Sequence, residues 1–386
     1  MNKNTGLESA LEQLLAQNNE PLLNALQLLM NTAMVWERQA TLQAAPYERN
    51  DERQGYANGF KPKSLLTRLG AMNLKVPQTR GVEFYPSIIE KGQRSERALV
   101  LAMAEMYVQG TSTRKVKAIV EELCGHGVSS TQVSRAVALL DEVLEPWRTR
   151  MLSSEPIVYL YLDATYEKVR RGGVVQDAAV LTAFGVTAQG TRRVLGLSVA
   201  ISEAEVHWRS FLESLAERGM TGLKLIISDA HSGLQKARQA IFPSVPWQRC
   251  QFHLQQNAQA YAQRLDQRKE IANTIRPIFQ APDRAEADRL LKKAQETVRG
   301  KNPKLADWME QSIPEGLTCF AFPDSHRRKI RTTNMVERNN REIKRRTKVA
   351  TLFTSEKSIE RLVSALLMEQ DENWMNGRIY LTMSAD

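Results

Sequence analysis

The feature that most restricts what this chain can fold into is the run from Ile157 to Val169, IVYLYLDATYEKV. Apolar, β-branched and aromatic side chains follow one another there with no helical period. Half-exposed strands alternate and helices keep a polar side, so the run reads as a strand buried on both faces. A single carboxylate, Asp163, ends its apolar part. Burying that group as an anion is costly unless a metal or a cationic partner compensates it. The plain alternative is an aspartate that caps the strand end and bonds its turn.

At 386 residues, with 42% hydrophobic and 25% charged residues, the chain has the composition of a soluble protein and length for two or three domains. Cys124, Cys250 and Cys319 stand singly, and the chain opens on polar MNKNTGLESA. This predicts a reduced, cytoplasmic protein without a disulfide framework or an apolar signal segment. No stretch reaches the roughly 20 apolar residues of a membrane span. A net charge of +10 and a pI near 9.5 point to a polyanionic partner.

Leu11, Leu14, Leu15, Leu22, Leu23, Leu26 and Leu29 recur at helical spacing, interrupted between Asn18 and Pro21, as in a helical hairpin or an oligomerisation segment. YERNDERQGYANGFKPK loses that period and gains Gly, Asn and Pro, which predicts a loop or linker. SLLTRLGAMNLKVPQTRG then predicts a short hairpin turning near Gly70. Two short helices follow: Val116, Ile119, Val120 and Leu123 face inward from the first, Cys124 to Gly127 form the turn, and Val133, Val137 and Leu140 face inward from the second. Ser129 or Ser130 supplies its cap. This is a helix-turn-helix pattern, with Ser130, Thr131, Gln132 and Arg135 placed to enter a major groove; an ordinary helical hairpin is the alternative.

Beyond the Asp163 strand, Gly172, Gly173 and Gly190 separate two further strands, giving an antiparallel meander. HWRSFLESLAERG is an amphipathic helix with Phe211, Leu212 and Leu215 inward. A second buried strand, Leu223 to Ser228, again ends on one carboxylate, Asp229, and a helix starts directly after it. A further short strand and helix, VPWQRCQFHLQQNAQ, complete the alternation. A strand-helix-strand crossover sets the two acid-bearing strands parallel and close in one sheet, so their acids can converge.

From Arg264 to about Ile330 the pattern is helical and charged, with Trp308, Pro314 and Cys319 near its end. TTNMVERNNREIKRRTKV begins a new helix, capped at Thr333 or Asn334, with Glu337 in its first turn. Arg338, Arg341, Lys344, Arg345, Arg346 and Lys348 make this the densest basic segment, fit to grip phosphates. The modest reading is an ion pair of Glu337 with Arg341 and an otherwise solvated face. Three carboxylates converging from two strands and a helix are what two-metal phosphodiester chemistry uses, with Mg²⁺ or Mn²⁺ held by oxygen ligands.

In YLDATYEKVRR, ISDAHSGL, RCQFHLQQN and TTNMVERNNREIKRRT, taken together and in this order, the chain resembles the bacterial insertion-sequence transposases of the mutator type. The match runs from about Tyr56 to Asn373. The resemblance implies a ribonuclease-H-like core, an α/β mixed sheet with flanking helices interrupted by an all-helical insertion. It further implies Asp163, Asp229 and Glu337 as catalytic metal ligands for two Mg²⁺ or Mn²⁺ ions, and assembly on two DNA ends as a homodimer or larger. Ala230 departs from the glycine many relatives carry after the second aspartate. Cys250 and His253 match the family's Cys-x-x-His element, which as a zinc site would need two more ligands. With His231 they are read as support for the active site. Trp208 and Trp308 are core residues or stacking groups for a flipped base.

The expected organisation is an N-terminal helical segment and hairpin over 1–90 and a helix-turn-helix-like DNA-binding region over 91–152. A catalytic core follows over 153–268 and 331–352, with a helical insertion over 269–330 and a C-terminal helix and tail over 353–386. The expected activity, in a nucleoid-associated bacterial protein, is binding of terminal inverted repeats, metal-dependent strand cleavage and strand transfer. A non-catalytic DNA-binding repressor and a plain nuclease of the same fold are the alternatives.

Overall fold

A computed structural model describes residues 19–46, 48, 51–67, 69–89, 97–124, 127–348 and 352–383. Leu11, Leu14, Leu15, Gly125 and His126 lie outside these residues. The chain divides into two compact units, residues 1–139 and 140–386.

The first unit opens with helix α1 (Asn19–Leu42), followed by strands β1 (Tyr56–Thr67) and β2 (Gly70–Arg80), an antiparallel ribbon closing at the Thr67–Gly70 pair. The predicted loop over 47–63 is therefore corrected from Tyr56 onward. β1 is exposed along its first seven residues, so it shows no alternation, and its Asn58–Gly59 pair lies at an irregularity in the ladder between Ala57 and Phe60 rather than in a turn. β2 alternates cleanly, with Met72, Leu74 and Val76 buried against Met34 of α1. The backbone N–H groups of Asn73 and Lys75 donate to Gln27 and Asn31, so α1 also covers an edge of the ribbon. Leu22 and Leu29 stay exposed.

Helices α2 (Arg97–Val108), α3 (Thr113–Cys124) and α4 (Ser130–Ala138) follow. Ser129 caps α4 in a reciprocal box: its hydroxyl accepts from Gln132 N at 3.1 Å and Gln132 Oε1 accepts from Ser129 N at 2.7 Å. Leu123, expected inward, is exposed; Cys124, expected in the turn, ends α3 and is buried with Val116 and Val120. From α4, Val133, Ala136 and Val137 face inward, and Leu140 lies past its end.

The second unit begins with α5 (Asp141–Thr149) and is built on a five-stranded mixed sheet in the order β5-β4-β3-β6-β7. β3 (Ile157–Arg171), β4 (Val174–Thr187) and β5 (Arg192–Ala200) form the antiparallel meander; β6 (Leu225–Ser228) runs parallel to β3, and β7 (Trp247–Arg249) parallel to β6. Only Gly172 and Gly173 separate β3 from β4, and both have positive φ, as a two-residue hairpin turn requires.

β3 is the central strand, and its period of two sorts the layers. Leu160 and Leu162 face helices α6 (Glu205–Glu217) and α7 (Ser232–Ile241), packing with Trp208, Phe211, Leu212, Leu215 and Leu234. Each such side chain, fully buried, contributes about 1.5–3 kcal/mol, which is why the strand carries no polar residue until Asp163. Tyr159, on the opposite face, meets Phe322 and His326 edge-on, and Phe184 meets Trp374 of the C-terminal helix.

A second core is built by helices alone. Helices α8 (Gln251–Gln259), α9 (Leu265–Phe279), α10 (Arg284–Arg299) and α11 (Pro303–Ser312), with two short 3₁₀ turns, bury Leu254, Ile275, Ile278, Leu291, Met309 and Ile313 together. Trp308 packs at its margin against Tyr261, and Trp208 is wholly buried, so both tryptophans are core residues. Helices α12 (Asp324–Ile330), α13 (Asn334–Thr347) and α14 (Glu356–Met375) complete the described fold. No helix among the described residues is long and apolar enough to cross a membrane.

Candidate active site

Asp163 has the same parity along β3 as Tyr159 and Tyr161, so it lies on the sheet face opposite α6 and α7. Its Oδ2 accepts from Asn340 Nδ2 of α13 at 2.7 Å. Asn340 follows Glu337 by three positions and so shares its helix face. Burial pushes the Asp163 carboxyl up to about 7, with Asp229 and Glu203 adding to the rise against the Ala164 backbone and the nearby His253.

Asp229 sits directly after β6, the parallel neighbour of β3. Its Oδ1 accepts from His231 N at 2.8 Å, a short side-chain turn that fixes the carboxylate at the head of α7. Gly233 in the first turn of α7 allows the Glu203–Glu205 backbone to come close, since a Cβ there would stand 2.2 Å from Glu203 O. Glu203 then lies 3.8 Å from the His231 ring and near Asp163.

Glu337, in the first turn of α13, is partly buried, pairs with no cation among the described residues, and has Oε1 buried without a hydrogen-bond partner. The modest reading of a Glu337–Arg341 pair is therefore not formed. The helix start is set from an unexpected quarter. Thr333 occupies the cap position but makes no side-chain cap bond; its N–H and its hydroxyl both donate to Cys250 Sγ at 3.4 Å. Cys250 in turn donates its N–H to Ser228 O at the end of β6. One cysteine thus ties the helix of Glu337 to the strand end of Asp229.

His253 stands between Glu337 and the field of the two aspartates. Ligand atoms of Cys250, His253 and Glu337 lie within 4.8 Å of one another, and Asp229 and Asp163 both act on His253 electrostatically. The Cys250 sulfur beside its ring raises His253 to about 9 over the opposing effect of burial, with the two aspartates adding to the rise. Its Nδ1 is nevertheless buried without a hydrogen-bond partner, so the coupling is one of closeness rather than of an aligned bond. Burial drives the Cys250 thiol up, but His253 and Thr333 bring it net below its ordinary value.

The basic segment sorts itself along α13. Arg338, Arg341, Lys344, Arg345 and Lys348 are exposed, whereas Arg346 is buried. Glu342 holds two of them: Arg345 through Nε and Nη2 at 2.8 and 2.7 Å, and Arg346 through Nε at 2.8 Å. In the first unit Ser130, Thr131 and Arg135 are exposed on α4, while Gln132 is engaged in the cap. Sequence reasoning missed Asn340 and Glu203. A helical offset of three from Glu337 could have pointed to Asn340; nothing in SEAE marked Glu203.

The sequence model described as "Transposase, Mutator family" matches residues 2–377. The transposase for insertion sequence element IS406 of Burkholderia multivorans is 55% identical over 380 residues, covering 98% of this chain and 97% of that protein. The transposase for insertion sequence element IS256 in transposon Tn4001 of Staphylococcus aureus is 37% identical over 364 residues, covering 91% of this chain and 90% of its own length. Among solved structures, the Drosophila P element transposase strand transfer complex aligns at a TM-score of 0.30 and 11% identity over 74% of this chain and 83% of that one, too slight a likeness to argue from. On the full-length family match and the identity to its relatives, the chain belongs to the Mutator family of insertion-sequence transposases.

Proposed function

We propose that this transposase binds the terminal inverted repeats of its element, cleaves a DNA strand and joins the freed 3′ hydroxyl to target DNA, on a ribonuclease-H-like core with Asp163, Asp229 and Glu337 as the catalytic acids. What supports the reading is that Glu337 and His253 offer ligand atoms within 4.8 Å of each other, that Asp163 and Asp229 both act on His253 electrostatically, and that Asn340, three positions after Glu337 on the same helix, bonds Asp163.

The residues fit a divalent metal. Asp163 is a partly buried carboxyl with one side-chain hydrogen-bond donor, and Glu337 Oε1 is buried with none among the described residues. Groups so placed call for positive charge. Oxygen donors suit hard Mg²⁺ or Mn²⁺, which when bound would activate the attacking hydroxyl and stabilise the leaving oxygen. A zinc reading at Cys250, His253 and Glu337 fits less well, because the Cys250 sulfur already accepts two hydrogen bonds from Thr333 and a fourth ligand is needed.

The chain's own groups have separable tasks. Asn340 holds Asp163 in one orientation, and the Asx turn at Asp229 fixes the second acid. Cys250 and Thr333 set the start of the helix that presents Glu337. His253, whose protonated form the Cys250 sulfur and the two aspartates favour, places positive charge beside the acids where a phosphate would come. The exposed Arg338, Arg341, Lys344 and Lys348 line one helix that can follow a phosphate backbone. On α4, Ser130, Thr131 and Arg135 are available to base edges.

The test is incubation of the purified protein with labelled DNA carrying the element's ends, in Mg²⁺, in Mn²⁺ and in chelator, beside Asp229→Asn. Metal-dependent 3′-end cleavage and joined products, both lost in the variant, are expected. Binding without cleavage in any metal would leave a DNA-binding repressor, and cleavage without joined products a nuclease.

A further inference from the structure

Next to His253, on the Phe252 side, lies a cleft that the chemistry above does not use. It has a volume of about 200 Å³ and runs between α8, the insertion helix α9 and the turn that leads into α13. Phe252, Gln255, Arg276, Gln280, Arg331 and Asn334 line it. Phe252 keeps 42% of its surface exposed, and its ring stands edge-on to His253 with centroids 5.6 Å apart. A strand that reaches His253 is therefore one side chain away from the cleft.

The lining is chemically specific. The Arg276 and Arg331 side chains make no hydrogen bond or ion pair with any described residue, although 43 acidic residues are available in the chain. Two guanidiniums kept free in one concavity are suited to a phosphate, which they can grip bidentately. An exposed aromatic face beside them is suited to a base, and the amides of Gln280 and Asn334 offer both donors and acceptors to its edge, while Gln255 Nε2 is held by Ala272 O. A closed cavity of roughly 150 Å³ holds a benzene molecule, so this open cleft of about 200 Å³ has room for one aromatic ring system.

We infer that the cleft seats one unpaired nucleotide of the DNA strand, its base against Phe252 and its phosphate between Arg276 and Arg331. The inference rests on the transposase reading for its substrate, and it gives the helical insertion a task, since Arg276 comes from α9. A base can enter only after leaving the duplex stack. The seated nucleotide would therefore lie next to the strand position held at the acids, and its extrusion would register the DNA end before cutting.

The experiment uses the full chain and duplexes of the element's end carrying 2-aminopurine, one position at a time, within about two nucleotides of the cut. Fluorescence is read in chelator, with Asp163→Asn as a second background, so that the signal does not depend on cleavage. A rise of several-fold over free duplex is expected at a single position, because an extruded 2-aminopurine loses its stacking neighbours. Phe252→Ala is expected to abolish it, and Arg276→Gln to weaken binding of the extruded form by roughly fivefold or more. Both side chains are exposed, so neither change threatens folding. The inference is overturned if no position brightens, or if the signal survives in both variants. Cleavage without the signal overturns the seat alone, and the signal without metal-dependent cleavage overturns the catalytic reading alone.

Discussion

Two carboxylates of the second unit, Asp371 buried and Asp163 partly buried, have opposite surroundings. Asp371 on α14 is 2% exposed and is met by Arg193 Nε at 3.1 Å, Arg150 Nη2 at 3.1 Å and the backbone N–H of Val194 at 2.8 Å. Asp163 on β3 has one neutral side-chain donor, Asn340, and is flanked by Asp229 and Glu203. The first carboxylate is compensated on both oxygens and clamps the C-terminal helix to β5. The second makes no ion pair among the described residues, has only the nearby His253 and the Ala164 backbone to offset its burial, and stands close to other acids. Folding alone would favour the arrangement at Asp371, because an unpaired buried charge is costly. The arrangement at Asp163 is what a site that must accept a cation looks like.

The sharpest way to break this comparison is to neutralise each acid. Asp163→Asn is expected to reduce strand cleavage by about a thousandfold or more, the upper range for loss of one preorganised electrostatic group, while end binding and thermal stability persist. Assays of cleavage, gel shift and melting on one preparation check it; retained cleavage removes Asp163 from the mechanism. Asp371→Asn should do the reverse. It removes the anion that Arg150 and Arg193 share, whose side chains are 19% and 18% exposed, leaving Arg193 to Glu155 and Arg150 to the Trp147 and Val194 carbonyls, and should cost about 3–5 kcal/mol in denaturant unfolding. Activity per folded molecule should be unchanged.

pH separates the two acids further. The Asp163 carboxyl is raised by burial to about 7, above the roughly 3.9 of an unfolded aspartate. Between those values the folded state holds the proton and the unfolded state does not, so the contribution is fully present below about pH 4 and is lost as pH rises through 7. A rise of that size corresponds to about 4 kcal/mol at most, and residual solvent contact lowers it to about 2. In chelator, Asp163→Asn should therefore be more stable than the parent at pH 8 by about 2 kcal/mol, with the difference vanishing near pH 4. Equal stability at both pH values would mean that Asp163 is compensated after all.

How much of this was legible depended on whether burial left a mark in the local pattern. Strands β3 and β6 announced themselves because both faces are covered, and a lone acid closing each apolar run stood out against it. Glu337 was visible from the cap and the basic helix around it. Strand β1 was not, because a ribbon strand exposed over its first residues has no alternation, and Asn58, Gly59 and Pro62 counterfeit a turn. Leu123 and Cys124 exchanged roles at a helix end, where one residue of phase decides which side chain points inward. Asn340 and Glu203 were illegible because their importance lies in where the sheet and α13 bring them. The tie from Cys250 to Thr333 spans 83 positions, beyond any local rule.

The same limit governs the basic helix, where spacing alone ranked six cations together and packing does not. Arg341 is exposed and makes no ion pair or hydrogen bond through its side chain among the described residues, whereas Arg346 is buried against Glu342. Each phosphate contact releases counterions and adds about 0.9 to the slope of log binding constant against log salt. Arg341→Ala should lower that slope by about one for end DNA, with stability unchanged within roughly 0.5 kcal/mol, as for any surface substitution. Arg346→Ala should leave the slope alone and reduce stability instead, since it removes a buried side chain and frees Glu342 to hold Arg345 by itself. Titrations of labelled end DNA over a salt series measure both, and a slope change confined to Arg346→Ala would mean that α13 meets the phosphates with the face that the packing now hides.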